Sequence, residues 1–481
     1  MADAAASAEE PRREPARQQS PIVRLLAALL CIALPLGVAF MPLGIEPRAQ
    51  TALAITAFII MCCVTQFIDY AVAGLIGCLL YWMTGIVGPQ VAFGGFASDT
   101  TWFILAAILF GLIAARSGLP TRVANFIVTR VGLSYPRILL GLIVTDFILT
   151  FLVPTGIGRV VILTSVAAGL VKVFDVPRTS NIARGMFLII TYTAVLFDKM
   201  IIAGATAITA RGIIVEHANI AVSWGQWFIA FLPCVLATIF VAWALILWLY
   251  PPEVKSLKGQ EARLRAQFHT DRKWDVTGVK SVALILGAIL LWMTDFLHGI
   301  EPGMVAFTVA MIALLPYIGV LDVEDIKRTN MLPVLFVGAA LSMGIVLRET
   351  GALSLLTSML VKGVQPLLLN EAWAVSVLYW GAFIYHLFIP SEVSMIATSL
   401  PTIIELAHTH GFNPLWIGLL WTFAAGGKIF VYQSGVLVVG YSYGYFNHID
   451  MIKIGASLTL AEFVGVILTE MFWWPVIGIT P

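Results

Sequence analysis

Apolar residues run through this chain in stretches long enough to cross a bilayer. Uncharged runs cover 25–45, 49–68, 70–98, 100–115, 218–252, 302–321 and 329–347, and runs with one to three charges cover 185–215, 281–298, 412–447 and 452–480. A crossing helix needs about 20 such residues, so these runs predict about eleven transmembrane helices. Two further regions, 138–171 and 372–408, are each long enough for two helices and carry a proline mid-way, Pro154 and Pro390. Each reads as a re-entrant hairpin that enters the membrane and turns back with its tip inside. Such irregular backbone is tolerated only against protein or a watery cavity.

Composition agrees. Of 481 residues, 60% are hydrophobic and 11% charged, where soluble domains carry about 25% charged residues. The fold class is therefore an all-α polytopic membrane protein, embedded in a lipid bilayer. Soluble-enzyme readings drop out, and a net charge of +1 with no dense basic block gives no footing for a nucleic-acid partner. The five cysteines lie in apolar stretches without Cys-x-x-Cys spacing, which predicts packing rather than metal binding or disulfides. No cofactor motif is present. Trp224, Trp227, Trp473 and Trp474 read as interfacial belt residues.

Positive charges orient the chain. With the N-terminus in the cytoplasm, 21 Lys and Arg fall inside and only Arg48, Arg348 and Lys362 outside, a bias that sets topology. This predicts a multi-pass protein of the cell membrane with Pro481 outside. Residues 1–21 are expected as a disordered cytoplasmic tail and 251–280 as a polar cytoplasmic connection between two halves. The halves repeat: "WFILAAILFGLIAARSGL" (102–119) matches "VLFVGAALSMGIVLRETGAL" (334–353), and "LVPTGIGRVVILTS" (152–165) matches "FIPSEVSMIATSLP" (388–401). An odd number of crossings separates the hairpins, so the repeat is inverted, the pattern of secondary transporters with a midplane site where the tips meet.

Several stretches resemble the divalent anion/sodium symporter family of di/tricarboxylate and sulfate carriers: "FGGFASDTTWFILAAILFGLIAARSGLPTRVANFIVTRVG" (93–132), "LLPYIGVLDVEDI" (314–326) and "GYFNHIDMIKIGASLTL" (444–460). The resemblance implies a homodimeric elevator carrier. Residues 22–135 (helices one to four) and 281–368 (seven to nine) would form the scaffold. Residues 136–250 (first hairpin, helices five and six) and 369–481 (second hairpin, helices ten and eleven) would form the moving transport part. The family's Ser-Asn-Thr tips, which help bind sodium and substrate carboxylates, are replaced by Thr155-Gly156-Ile157 and Ser391-Glu392-Val393.

Charges stranded in membrane segments mark function, because each is costly there. Arg159 lies one turn past Thr155. As a planar fork it suits an anion, so Thr155, Gly156, Arg159, Ser391 and Ser434 form the expected substrate cradle. The other reading makes Arg159 an internal partner of Glu392 or Asp146. Glu392, with Thr155 and Ser391, is the expected coupling-ion site, for H+ or Na+, or else a fixed partner of Arg159 or Lys428. Asp146, Asp198, Lys199, His386 and Lys428 are expected behind it. No metal beyond Na+ is expected. The sequence thus predicts a secondary transporter of a small anion, an organic carboxylate before a sulfate or sulfonate, coupled to H+ or Na+ or exchanging. The rival of another class is an uncoupled channel or a transport-dead sensor subunit.

Overall fold

The structure is a computed structural model. It describes residues 21–481 except 43, 66, 133, 254–274, 354, 356–370 and 390. The expected tail, most of the 251–280 connection, Lys362 and Pro390 therefore lie outside the described residues. The described elements are all helical, without strands. The main helices are α1 Pro21–Phe40, α2 Pro47–Thr65, α3 Tyr70–Met83, α4 Asp99–Ser117, α5 Leu119–Arg130, α6 Tyr135–Leu152, α7 Gly156–Phe174, α8 Asn181–Met200, α9 Ala205–Ala218, α10 Trp224–Leu249, α11 Val276–Met293, α12 Pro302–Leu314, α13 Leu332–Glu349, α14 Glu371–Phe388, α15 Glu392–His410, α16 Pro414–Ala424, α17 Gly435–Ser442 and α18 His448–Leu468. Among the described residues nine segments are long and apolar enough to cross a membrane, and five apolar helices are shorter. The chain is a polytopic membrane protein.

Local chemistry sets the helix ends. Pro at the first positions starts α12, α13 and α16, where the missing N–H is no loss. The Ser223 hydroxyl caps α10, and an Asn447/Asp450 capping box opens α18. Gly118 and Gly411 end α4 and α15 in the left-handed region.

Four breaks matter for function. α6 stops at Leu152 because Pro154 offers no N–H and pushes Val153 into extended backbone (φ −124°, ψ 101°). α7 then restarts under a Thr155 cap. α14 and α15 repeat the arrangement, with Ser391 as cap. Two otherwise continuous helices are also interrupted: α8 and α9 at 201–204, and α16 and α17 at 425–434. The second interruption is held by the Gln433 side-chain oxygen, which accepts the N–H of both Ile429 and Phe430 at 2.8 Å. The arms of the first hairpin are 18 and 19 residues long.

Packing repeats with the halves exchanged. α3 lies on α13 as α12 lies on α4; α9 lies on α15 as α17 lies on α7; α8 packs on both arms of the first hairpin as α16 packs on both arms of the second.

One expectation is corrected here. Trp224, Trp227 and Trp474 are buried, not belt residues. The Trp227 indole donates to Lys199 O at 2.8 Å and that of Trp474 to Ala230 O at 3.1 Å. The Trp227 and Trp474 N–H groups find partners inside the bundle, which leaves nothing to hold them at a lipid headgroup. The five cysteines are buried free thiols.

Candidate functional site

The four breaks meet at one place. A cavity of 380 Å³ is lined by Thr155, Gly156 and Ile157 from the first hairpin and by Ser391, Glu392 and Val393 from the second. Gly204, Ala205 and Thr206 from one helix break and Ser434, Gly435 and Val436 from the other complete that side. Its far wall is apolar, with Ile104, Ala107 and Ile108 of α4, joined by Tyr70 and Pro333.

Helix polarity follows from this arrangement. α7, α9, α15 and α17 all begin on the cavity wall. Each start leaves its first N–H groups without intrahelical partners and carries the positive end of a helix dipole. Hydroxyl caps fill some of these donors: Thr155 accepts from Gly158 N at 3.2 Å, Ser391 from Ser394 N at 3.4 Å, and Ser434 from Val436 N at 3.3 Å. α9 starts at Gly204 with no side-chain cap. Four converging N-termini make the cavity a place for negative charge.

The charged residues sort into two groups. Arg159 is fully buried and does not line the cavity. Its Nε donates to Asp146 Oδ1 at 2.9 Å, Nη1 to Val153 O at 3.2 Å and Nη2 to Ala194 O at 2.8 Å. Nη2 also lies 3.0 Å from Asp198 Oδ1. The guanidinium thus ties both arms of the first hairpin to α8. Of the two internal partners weighed from sequence, Asp146 is present and Glu392 is not, while Asp198 is an additional one. Glu392 instead pairs with Lys428 Nζ at 2.9 Å. Each hairpin tip is therefore ionically tied to the helix break of its own half, with the polarity reversed between halves.

The carboxylates, not the cations, face the cavity. Asp198 and Glu392 are 24% and 12% exposed, against 0% for Arg159 and 1% for Lys428. Asp198 also accepts the Gly156 N–H through Oδ2 at 3.2 Å. Glycine permits that approach, since a Cβ at 156 would stand 2.5 Å from the same oxygen.

Lys199 points away from its neighbour Asp198, as adjacent helical positions must. It meets Glu462 of α18 at 2.6 Å, and both are buried. Sequence reasoning did not single out Glu462, although it was a charge inside an apolar run. His386 is buried, with Nε2 3.2 Å from Gln433 O, and supports the α16–α17 break. Among the described residues no cluster of His, Cys, Asp or Glu could hold a metal ion.

Residues 22–480 match the family described as "Sodium:sulfate symporter transmembrane region". The chain belongs to this family and is a membrane transporter rather than an enzyme. It is similar to a "Membrane protein" of Cupriavidus necator, 24% identical over 94% of this chain and 91% of the relative. It is equally similar to the "L-tartrate/succinate antiporter" of Escherichia coli strain K12, 24% identical over 94% of this chain and 98% of the relative. The protein of the same name from Shigella dysenteriae is 23% identical over the same shares.

Proposed function

We propose that this protein exchanges small carboxylated anions across the cell membrane, binding them in the cavity where the two hairpin tips and two helix breaks converge. The observation that carries this reading is the meeting of four helix N-termini on one 380 Å³ cavity, which favours negative charge. Thr155, Gly156, Ser391 and Ser434 line it and remain the substrate contacts. Arg159 acts from behind, fixing the first tip.

An elevator motion of a homodimer is part of the proposal. The cavity lies on the border between the expected scaffold (22–135 and 281–368) and the expected transport part (136–250 and 369–481): α3, α4 and the start of α13 line one side and the tips the other. The apolar far wall suits a surface along which the tips slide. The hairpins are proposed as re-entrant and the repeat as inverted, with the N-terminus cytoplasmic. Exchange is supported by the antiporter relatives and by two fixed cations beside the cavity, Arg159 behind the first tip and Lys428 in the α16–α17 break. Cation-coupled uptake, with H+ or Na+ at Asp198 or Glu392, is a second reading, favoured by the partial exposure of both carboxylates and by the family's description.

Purified protein in proteoliposomes tests this. Labelled succinate enters vesicles preloaded with unlabelled succinate much faster than empty ones. Equal rates under a sodium or proton gradient support the second reading; carboxylate currents far above carrier turnover support a channel.

A further inference from the structure

The charges around the cavity do not balance. Three carboxylates, Asp146, Asp198 and Glu392, face two cations, Arg159 and Lys428. Lys199 and Glu462 neutralise each other further off. Counted with every carboxylate ionised, one negative charge is left over, in the group in which Asp146 and Asp198 share a single guanidinium. Asp198 is the member of that group on the cavity wall. The wall thus combines free helix N–H groups with two partly exposed carboxylates and presents no cationic side chain of its own. A plain dianion would add two negative charges to a site already carrying one in excess, and such repulsion is weakly screened away from water.

We propose that the transported solute carries an ammonium group next to its carboxylate, and that Asp198, with Glu392 across the cavity, receives it while the helix N-termini receive the carboxylate. The solute class is a small amino acid or amino dicarboxylate. This rests on the reading of the cavity as the solute site. The excess charge of the Asp146–Arg159–Asp198 group matches one ammonium, so binding neutralises the wall without an added metal ion.

Three probes with one carbon skeleton isolate the group in question. Succinate, L-malate and L-aspartate differ only in bearing hydrogen, hydroxyl or ammonium at one carbon. Thermal stabilisation of the detergent-solubilised full chain is titrated with each in sodium-free buffer. L-Aspartate reaches half-maximal effect at a concentration roughly 10-fold to 100-fold below succinate, the worth of a charge-assisted hydrogen bond, with L-malate between them. Asp198→Asn and, separately, Glu392→Gln shrink the aspartate-to-succinate ratio to below about 3-fold. Succinate binding as tightly as aspartate, or a ratio unchanged in both variants, overturns the proposal but leaves carboxylate exchange standing. Failure of all three probes to bind overturns both.

Discussion

Arg159→Met isolates what the buried guanidinium does. The substitution keeps most of the side-chain volume and removes the charge, so the loss measured is electrostatic. It leaves Asp146, fully buried, without its 2.9 Å partner, and Asp198 without its 3.0 Å partner. It also frees the carbonyls of Val153 and Ala194. Removing one member of a buried ion pair costs about 3–5 kcal/mol, because the remaining charge is stranded. The expected destabilisation is therefore about 3–5 kcal/mol. Unfolding in mixed micelles titrated with sodium dodecyl sulfate reads it, with tryptophan fluorescence as the signal. The double variant Arg159→Met with Asp146→Asn removes the more deeply buried of the two stranded charges and is expected to be more stable than Arg159→Met alone, with a coupling of about 2 kcal/mol. A single variant within about 0.5 kcal/mol of the parent, or a double variant that simply adds the two losses, would refute the view of Arg159 as the tie between the hairpin and α8.

Other sites give sharper contrasts. Gly426→Ala places a Cβ onto the Lys199 ammonium, which is buried and held by Glu462; folded yield by size-exclusion chromatography is expected to collapse. Thr155→Ala removes the cap of α7 and should cost about 1 kcal/mol in the same mixed-micelle titration, with weakened solute binding. Lys327→Ala breaks only an exposed pair with Glu324 and should shift stability by less than about 1 kcal/mol, a control for the buried pairs.

Much of this architecture is visible in the order of residues. Pro154 and the hydroxyl that follows mark the first tip, and the Gln433-Ser434-Gly435 stretch marks one helix break, because proline and caps act locally. The charged residues of the site were visible too, since ionisable groups stand out in apolar runs. Two of their pairs, Arg159–Asp146 and Glu392–Lys428, stood among the alternatives the sequence offers; Arg159–Asp198 and Lys199–Glu462 did not. Arg159 reads as an exposed anchor because it follows the tip by one turn, yet its length lets it run beneath the tip to Asp146 and Asp198. Asp198 read as a supporting residue and instead lines the cavity. Lys199 finds Glu462 across 263 positions of sequence, a choice made by α10 packing on both α8 and α18 rather than by any spacing. The tryptophans near the helix ends were misread for the same reason: proximity to a loop does not tell burial.

Solute protection of a cavity position tests the central claim most directly. Thr206 lines the cavity at the start of α9, so Thr206→Cys in a background without the five native cysteines places one thiol beside the proposed solute. Its rate of reaction with a small charged maleimide is measured in proteoliposomes with and without a saturating exchanged carboxylate. The cavity reading predicts at least a several-fold slowing with the carboxylate present. An unchanged rate, in vesicles where exchange is verified, would place the solute elsewhere and contradict it.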